Sequence, residues 1–378
     1  FRAATLRREG EAAQVETGTD TAGPSERIGD VLELDDIHVE FAPDLVSMAL
    51  DPGSGLDARI RNMRDHIARS FGLILPEIRL TDRDDLPSGT YSIRIQGVEH
   101  ARSSLEIEGF LMLKSGDESA LPPGRDVSEP VYGAPARWIV PQDRDRAAMT
   151  GATVVAPGEV LATHLMETLK KNLSRLLTFK ALQRQLDAFV ELSDPTRSEG
   201  NRRLLNEMVP DKVPMDVLHG VLRLLLAEQV SIRNLPLILE AIAEARPTIQ
   251  QPNLLCEHVR QRLGFQLVSG LKPDDGTLPL VQLAGQWEDI FAEYQIGGEG
   301  GLPEIALPPD TFNSLARSIG DKIAQASENG TYPAIVTSAL RRRFLRTVLL
   351  SRGILNPVLS FEEIGLEAKP ALVGVAAP

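Results

Sequence analysis

Cysteine, aromatic residues and long apolar runs are scarce in this chain of 378 residues. Cys256 is the single cysteine, which excludes an internal disulfide and is typical of a reducing compartment. Phe, Trp and Tyr together make up 4% of the sequence, so the cores must be built mainly from Leu, Ile and Val. No apolar run reaches the roughly 18 residues that a membrane-spanning helix needs.

Motifs for nucleotide and metal binding are also missing. No Gly-rich loop ends in Lys-Ser or Lys-Thr, and no His-Glu-x-x-His motif occurs. The glycines at 297–301 lack the flanking strand and helix of a dinucleotide fingerprint, so they indicate a flexible loop. Cys256 and His258 are two positions apart and would point in different directions on a helix. We therefore predict no catalytic residue, no metal and no cofactor.

Acidic residues outnumber basic ones, and the formal net charge is −13. This balance argues against a nucleic-acid backbone or an anionic membrane surface as the main partner, because both are negatively charged. Proteins or small molecules are the expected partners. The chain is too long for one ordinary core, so we expect about two to four domains.

Two charged clusters each allow two interpretations. The arginines at 341–343, with Arg346, could bind an acidic partner, but the solvated face of an amphipathic helix is the simpler interpretation. Asp82, Asp84 and Asp85 could hold a cation, and a polar loop explains them at least as well.

The first half of the chain mixes strands with helices. Short apolar or alternating runs predict strands at 37–41, 45–50, 73–80, 91–95, 105–113 and 153–155. Helical spacing predicts a helix that ends at Gly72 and another that begins at Pro157. The Pro-rich stretch 128–141 is predicted to be a rigid connector that carries Tyr132 and Trp138.

The second half is helical and then mixed again. Apolar stripes predict helices through 165–179, 182–190 and 217–226, and a further helix capped by Asn234. Beyond Pro252, strands predicted at 278–283, 334–337 and 358–361 alternate with helices, which indicates a small α/β domain with a partly parallel sheet. The tail after Leu366 has little periodicity and is expected to be mobile.

A family resemblance rests on the segments EPVYG at 129–133, PARWI at 135–139 and VLATHL at 160–165. At this spacing they resemble the cytoplasmic domain of the large export-gate subunits of type III secretion systems. The stretches at 358–364 and 373–375 resemble the C-terminus of the flagellar branch. The resemblance covers nearly the whole chain.

The resemblance and the patterns together predict a multidomain α/β and α+β fold. The expected parts are a linker at 1–27 from a missing membrane domain, a first α/β domain at 28–99 plus 150–170, an inserted α+β domain at 100–149, an all-helical third domain at 171–247, a C-terminal α/β domain at 248–364 and a tail at 365–378. The resemblance also implies that the chain is the cytoplasmic portion of a bacterial inner-membrane protein.

The resemblance implies a docking platform and not an enzyme. Such a platform binds export chaperone–substrate complexes and hands the substrates to a membrane channel. The other expected partners are the ATPase complex and the second gate subunit of the export apparatus, and the full-length protein is expected to form a homo-oligomer, a nonamer, with no nucleic acid bound.

The family's chaperone site maps here onto Glu129, Tyr132 and Thr163, with Val155 and Val160 as its expected floor. Glu and Tyr stand where the family has Asp and Phe. Without the resemblance, Tyr132 and Trp138 would be interpreted as hydrophobic plugs that pin the loop to its own domain. The alternative functions are an injectisome homologue of the export gate and, from a different class, a cytosolic α/β enzyme.

Overall fold

The computed structural model describes residues 34–50, 56–114, 121–297, 304–365 and 367–378. The chain divides into two compact units, of which the first ends at Phe189 and the second begins at Val190. Both contain helices and sheets, which confirms the mixed α/β class. The predicted linker at 1–27 and most of the Gly-rich stretch 297–301 lie outside the described residues.

A four-stranded sheet opens the first unit. Its strands are β1 (Ile37–Phe41), β2 (Ile78–Asp82), β3 (Thr90–Ile95) and β4 (Val98–Ser104), in the order β2-β1-β3-β4. β1 is parallel to β2 and antiparallel to β3. Strand β4, which the sequence patterns did not predict, pairs with β3, so the first sheet continues to Ser104.

Two helices occupy the connection from β1 to β2, α1 (Val46–Leu50) and α2 (Leu56–Phe71). Gly72 follows α2 with a φ of +75° and donates its N–H to the Ala68 carbonyl at 3.0 Å, as predicted for the end of this helix. The strand predicted at 45–50 is wrong. Pro43 begins a turn of 3₁₀ helix that leads directly into α1, and a short apolar run cannot by itself distinguish a strand from a helix.

The second sheet of this unit is antiparallel and has the order β6-β7-β5-β8. Its strands are β5 (Phe110–Leu113), β6 (Gly124–Ser128), β7 (Pro135–Ile139) and β8 (Val154–Val155). The Pro-rich stretch is therefore not only a connector, because Pro135 starts a strand, a position that tolerates proline. The short helix α3 (Arg144–Met149) buries Ala147 in the same core.

Three helices follow β8, namely α4 (Pro157–Lys171), α5 (Leu173–Leu176) and α6 (Phe179–Val190). The single stripe predicted at 165–179 is interrupted at Asn172, whose buried side-chain amide donates to the Thr168 carbonyl at 2.9 Å. The amide of Gln185 on α6 accepts from the Ile74 N–H and donates to the Gly72 carbonyl, which joins α6 to the end of α2.

The second unit begins with five helices. They are α7 (Pro195–Met208), α8 (Met215–Ala227), α9 (Leu235–Ala245), α10 (Pro252–Arg262) and α11 (Gly264–Ser269). The predicted cap of α9 is confirmed, because the Asn234 side chain accepts from the Leu237 N–H. Helix α7 was not predicted because it buries no residue and so has no apolar stripe.

An all-parallel sheet of order β13-β12-β9-β14 completes this unit. Its strands are β9 (Thr277–Leu283), β12 (Ala334–Thr337), β13 (Val358–Ser360) and β14 (Lys369–Ala376), and a two-stranded ribbon joins β10 (Gln295–Ile296) to β11 (Glu304–Ile305). The associated helices are α12 (Gln286–Glu293), α13 (Pro309–Glu328) and α14 (Ala339–Ser351).

The expectation of a mobile tail is wrong for the described residues after 366. Strand β14 pairs along its length with β9. The apolar residues of this strand, among them Leu372, Val373 and Val375, are exposed and do not alternate with polar ones. The spacing of its side chains therefore gives little indication of a strand. Main-chain pairing, which side-chain patterns do not reveal, fixes the tail in the sheet.

The arginines of α14 are not a solvated face. Arg341 is 5% exposed and Arg342 is fully buried. Arg342 donates from Nε to Glu257 at 2.6 Å and from a terminal nitrogen to Glu228 at 2.9 Å. Nearby, Arg260 donates to Glu363 at 2.6 Å. We call the set of Glu228, Glu257, Arg260, Arg342 and Glu363 the buried ion network.

Cys256 on α10 is buried, and burial together with the neighbouring Glu257 raises the pKa of its thiol to about 12. The reactive form of a cysteine is its thiolate, which the raised pKa disfavours. We therefore expect Cys256 to resist an aromatic disulfide reagent in the native protein and to react with one equivalent of it in concentrated guanidinium chloride. A Ser104→Cys variant, which adds an exposed thiol, should react at once. Rapid reaction of the native chain would contradict the burial of Cys256.

Candidate functional site

The candidate site centres on a tight turn between β6 and β7. The Glu129 N–H donates to the Ala134 carbonyl at 2.8 Å, and the Gly133 N–H donates to the Glu129 carbonyl at 2.9 Å. The Glu129 carboxylate accepts from the N–H groups of Val131 and Tyr132, each at 2.8 Å. Gly133 has a φ of +72°, a left-handed conformation that favours glycine. The turn is therefore held by its own hydrogen bonds.

Tyr132 stands at the tip of this turn and is 73% exposed. Trp138, six residues on, is 3% exposed. The plug interpretation thus describes Trp138 and not Tyr132. Partial burial, followed by the negative charge of Glu167 on α4, raises the pKa of the Tyr132 hydroxyl. The phenol therefore lies near the face of α4 that carries Glu167.

Helix α4 supplies the second wall of the site. Its Thr163 is exposed and donates its hydroxyl to the Glu159 carbonyl at 2.8 Å. Thr163 and Glu167 are four residues apart and therefore share one helix face. The structure thus brings Tyr132 towards the face on which Thr163 lies.

The two valines predicted as a floor lie deeper. Val160 is 4% exposed and belongs to the core. Val155 is half-buried in β8, opposite Leu111 of β5. They support α4 and the second sheet from within, and the exposed surface of the site is formed by Tyr132 and the outer face of α4.

The charge of Glu129 suggests a group exposed to a partner, but the structure directs its carboxylate to the backbone of the turn. It is 9% exposed, and each of its carboxylate oxygens accepts a backbone N–H. Such charge-assisted bonds are stronger than neutral ones. Glu129 therefore orients Tyr132 through the backbone.

A polar cavity of about 310 Å³ lies beside the turn, and sequence patterns did not find it. The residues that matter for its chemistry are His100, His164, Glu167, Lys171 and Arg175. His100 belongs to β4, the strand that was not predicted, so its position next to α4 was not expected. The spacing of His164, Glu167 and Lys171 on one helix face was the available signal.

His164 connects the cavity to the first sheet. Its Nδ1 lies 2.8 Å from the hydroxyl of the buried Tyr91, and the two rings meet edge to face at 5.8 Å. Burial lowers the pKa of His164, although the Glu129 charge opposes this shift. His164 is therefore neutral at neutral pH and has a structural contact on its inner side.

Within the described ranges, no group of three or more His, Cys, Asp or Glu side chains could hold a metal ion. Of the candidate cation cluster, Asp82 ends strand β2, and Asp85 pairs with Arg83 in the polar loop that follows. No helix of the described part of the chain is both long and apolar enough to cross a membrane.

The family model for FHIPEP proteins matches residues 2–369 of this chain. The chain belongs to the FHIPEP family. Flagellar biosynthesis protein FlhA of Caulobacter vibrioides is 33% identical over 364 residues, which are 96% of this chain and 51% of that protein. The chain therefore spans about half the length of this curated relative. The resemblance to the export-gate subunits of type III secretion is confirmed.

Solved structures of other proteins share the fold of this chain. The CdsV protein of Chlamydia pneumoniae superposes with a TM-score of 0.75 at 21% identity, covering 91% of this chain and 98% of that one. The nonameric SctV-C of EPEC superposes with a TM-score of 0.70 at 17% identity, covering 90% and 98%. At these identities the comparison shows a shared fold.

Proposed function

We propose that this FHIPEP chain is the docking platform of a flagellar type III protein export gate. In this proposal it binds export chaperone–substrate complexes and hands the substrates to the membrane channel. The docking surface consists of Tyr132 at the tip of its turn and the face of α4 that carries Thr163. Val155 and Val160 support this surface from below, and Glu129 fixes the turn.

The observation that carries the proposal is the exposure of Tyr132 on a turn closed by its own hydrogen bonds. A large exposed aromatic side chain has no stabilising role in its own core. Because the turn is already ordered, a partner that buries Tyr132 has little main-chain entropy to offset. Rigid aromatic anchors of this kind are typical binding hot spots.

Membership of the family supports the wider setting of the proposal. We place the chain on the cytoplasmic side of a bacterial inner membrane, as part of a homo-oligomer that is a nonamer in the full-length protein. Its further partners are the ATPase complex and the second gate subunit of the export apparatus. It is not an enzyme, and its net charge of −13 makes nucleic acid an unfavourable partner.

The injectisome homologue is the second candidate function. It shares the fold, since SctV-C and CdsV superpose on this chain. The identity of 33% to a flagellar protein favours the flagellar branch.

The proposal predicts that Tyr132→Ala weakens binding of a flagellar chaperone–substrate complex by about tenfold, or 1.4 kcal/mol. The physical reason is the loss of apolar ring area that the partner covers. Isothermal titration calorimetry with the complex from the same bacterium measures the change, and Tyr132→Phe should bind nearly as well as the wild type.

The matched control is Tyr332→Ala, which removes another exposed tyrosine from the second unit. It should leave the dissociation constant unchanged. Far-ultraviolet circular dichroism must show that all three variants are folded. Equal binding by wild type and a folded Tyr132→Ala would make Tyr132 irrelevant to docking, and no binding by the wild type would remove the flagellar assignment.

A further inference from the structure

The polar cavity beside the Tyr132 turn has an uneven charge balance. Lys171 and Arg175 line it, and no carboxylate of the described residues pairs with either of them. Glu167, the acidic residue at the cavity, is already paired with Lys170 at 2.8 Å. Two cations therefore remain available on the wall of a concave site.

The neutral side chains of the cavity each have a partner within the protein. The Thr168 hydroxyl donates to the His164 carbonyl at 2.7 Å, and the Asn172 amide donates to the Thr168 carbonyl at 2.9 Å. His164 is engaged with the Tyr91 hydroxyl. The charged donors at the cavity are those of the two cations, and they select for an acceptor that carries negative charge.

His100 orients one of these cations. The Arg175 guanidinium lies 3.2 Å from Nε2 of His100, so the ring nitrogen accepts and the imidazole is neutral. Burial, followed by the charge of Arg175, lowers the pKa of His100. The histidine therefore adds no charge of its own, and it uses one of the five guanidinium N–H groups while the others remain free for a ligand.

We infer that this cavity is a carboxylate-binding subsite of the docking surface, which takes an Asp or Glu side chain of the docked protein partner through Lys171 and Arg175. The inference rests on the proposed function, because the carboxylate belongs to the partner that covers Tyr132. Pro130 and Val131 line the cavity and adjoin Tyr132, so one partner element can reach both places.

The subsite has a specific role in a chain with a net charge of −13. The overall field repels an acidic partner, so a local pair of cations favours only the orientation that places a carboxylate in the cavity. Tyr132 supplies apolar contact area, and the cavity fixes register. A partner with no acidic group at that position would leave two cations covered and unpaired.

The test compares binding of the same flagellar chaperone–substrate complex to the wild type, Tyr132→Ala, and the double variant Lys171→Gln with Arg175→Gln. We expect the double variant to bind about tenfold more weakly, and its affinity should depend less on sodium chloride concentration than that of the wild type. Lys171→Arg, which keeps the charge, should bind like the wild type. Arg61→Gln on α2 removes an exposed cation elsewhere and is the matched control.

The outcomes separate the two proposals. Weak binding by Tyr132→Ala with unchanged affinity and salt dependence in the double variant overturns the carboxylate subsite and leaves the docking surface in place. Unchanged binding by Tyr132→Ala, or no binding by the wild type, overturns the docking function and this subsite with it. An equal loss in Arg61→Gln would reduce the effect to general charge and would also overturn the subsite.

Discussion

Arg342→Ala should lower the free energy of unfolding of the second unit by about 3–5 kcal/mol. The arginine is fully buried and donates to both Glu257 and Glu228, so its removal leaves two carboxylates with one cation fewer. Although burial raises the pKa of Glu228, the nearby guanidinium groups of Arg342 and Arg260 lower it more, which keeps the carboxylate charged. An uncompensated buried charge is among the most destabilising changes in a protein.

Urea unfolding followed by the fluorescence of Trp287 measures this effect. Trp287 is 1% exposed in the core of the parallel sheet, and a Trp138→Phe background removes the other tryptophan. The control is Arg343→Ala, the next residue on α14, for which we expect a change below about 1 kcal/mol. Similar losses in the two variants would show that Arg342 is not buried in an ion pair.

Gly264→Ala should also destabilise the second unit, by about 1–3 kcal/mol or more. A Cβ atom built on Gly264 would lie 2.3 Å from the Glu363 carbonyl oxygen and 3.2 Å from its Cα. These are backbone atoms, so the chain itself must shift. Because Glu363 also accepts from Arg260, we expect the effects of Gly264→Ala and Glu363→Gln to be non-additive in a double-mutant cycle.

Gly200→Ala is the matched control for this substitution. Gly200 lies within α7, is exposed, and has nothing within 4 Å of its added Cβ. Alanine there should stabilise the unit by about 0.5–1 kcal/mol, because glycine is a poor helix former. The same urea unfolding experiment reports both variants. A Gly264→Ala protein as stable as the wild type would contradict the close packing of α11 against Glu363.

Local features of the fold could be predicted where a signal and its effect are neighbours in sequence. Gly72 ends α2 and Asn234 caps α9, and in each case the deciding hydrogen bond spans a few residues. The predicted strands at 278–283 and 334–337 lie in the parallel sheet, because short apolar runs separated by helices have few other arrangements.

The candidate site was predictable only in part. The family resemblance singled out Tyr132, and the structure places it exposed at the tip of a turn. The pairing of Glu129 with the N–H of Tyr132 was not foreseen, because a carboxylate can equally face solvent. The cavity could not be predicted because one of its walls is β4. This strand consists largely of charged and polar residues, so it lacks the alternation of apolar and polar positions that marks a strand.

The sequence by itself determined the aliphatic cores, the main helices and most strands of the parallel sheet, because propensity, spacing and caps act over a few residues. Only the tertiary structure decided that β8 belongs to the second sheet, that β14 joins β9, and that Arg342 is buried. Its partners Glu257 and Glu228 are 85 and 114 positions away in sequence. Pairing over such distances depends on how whole elements pack, which no local pattern encodes.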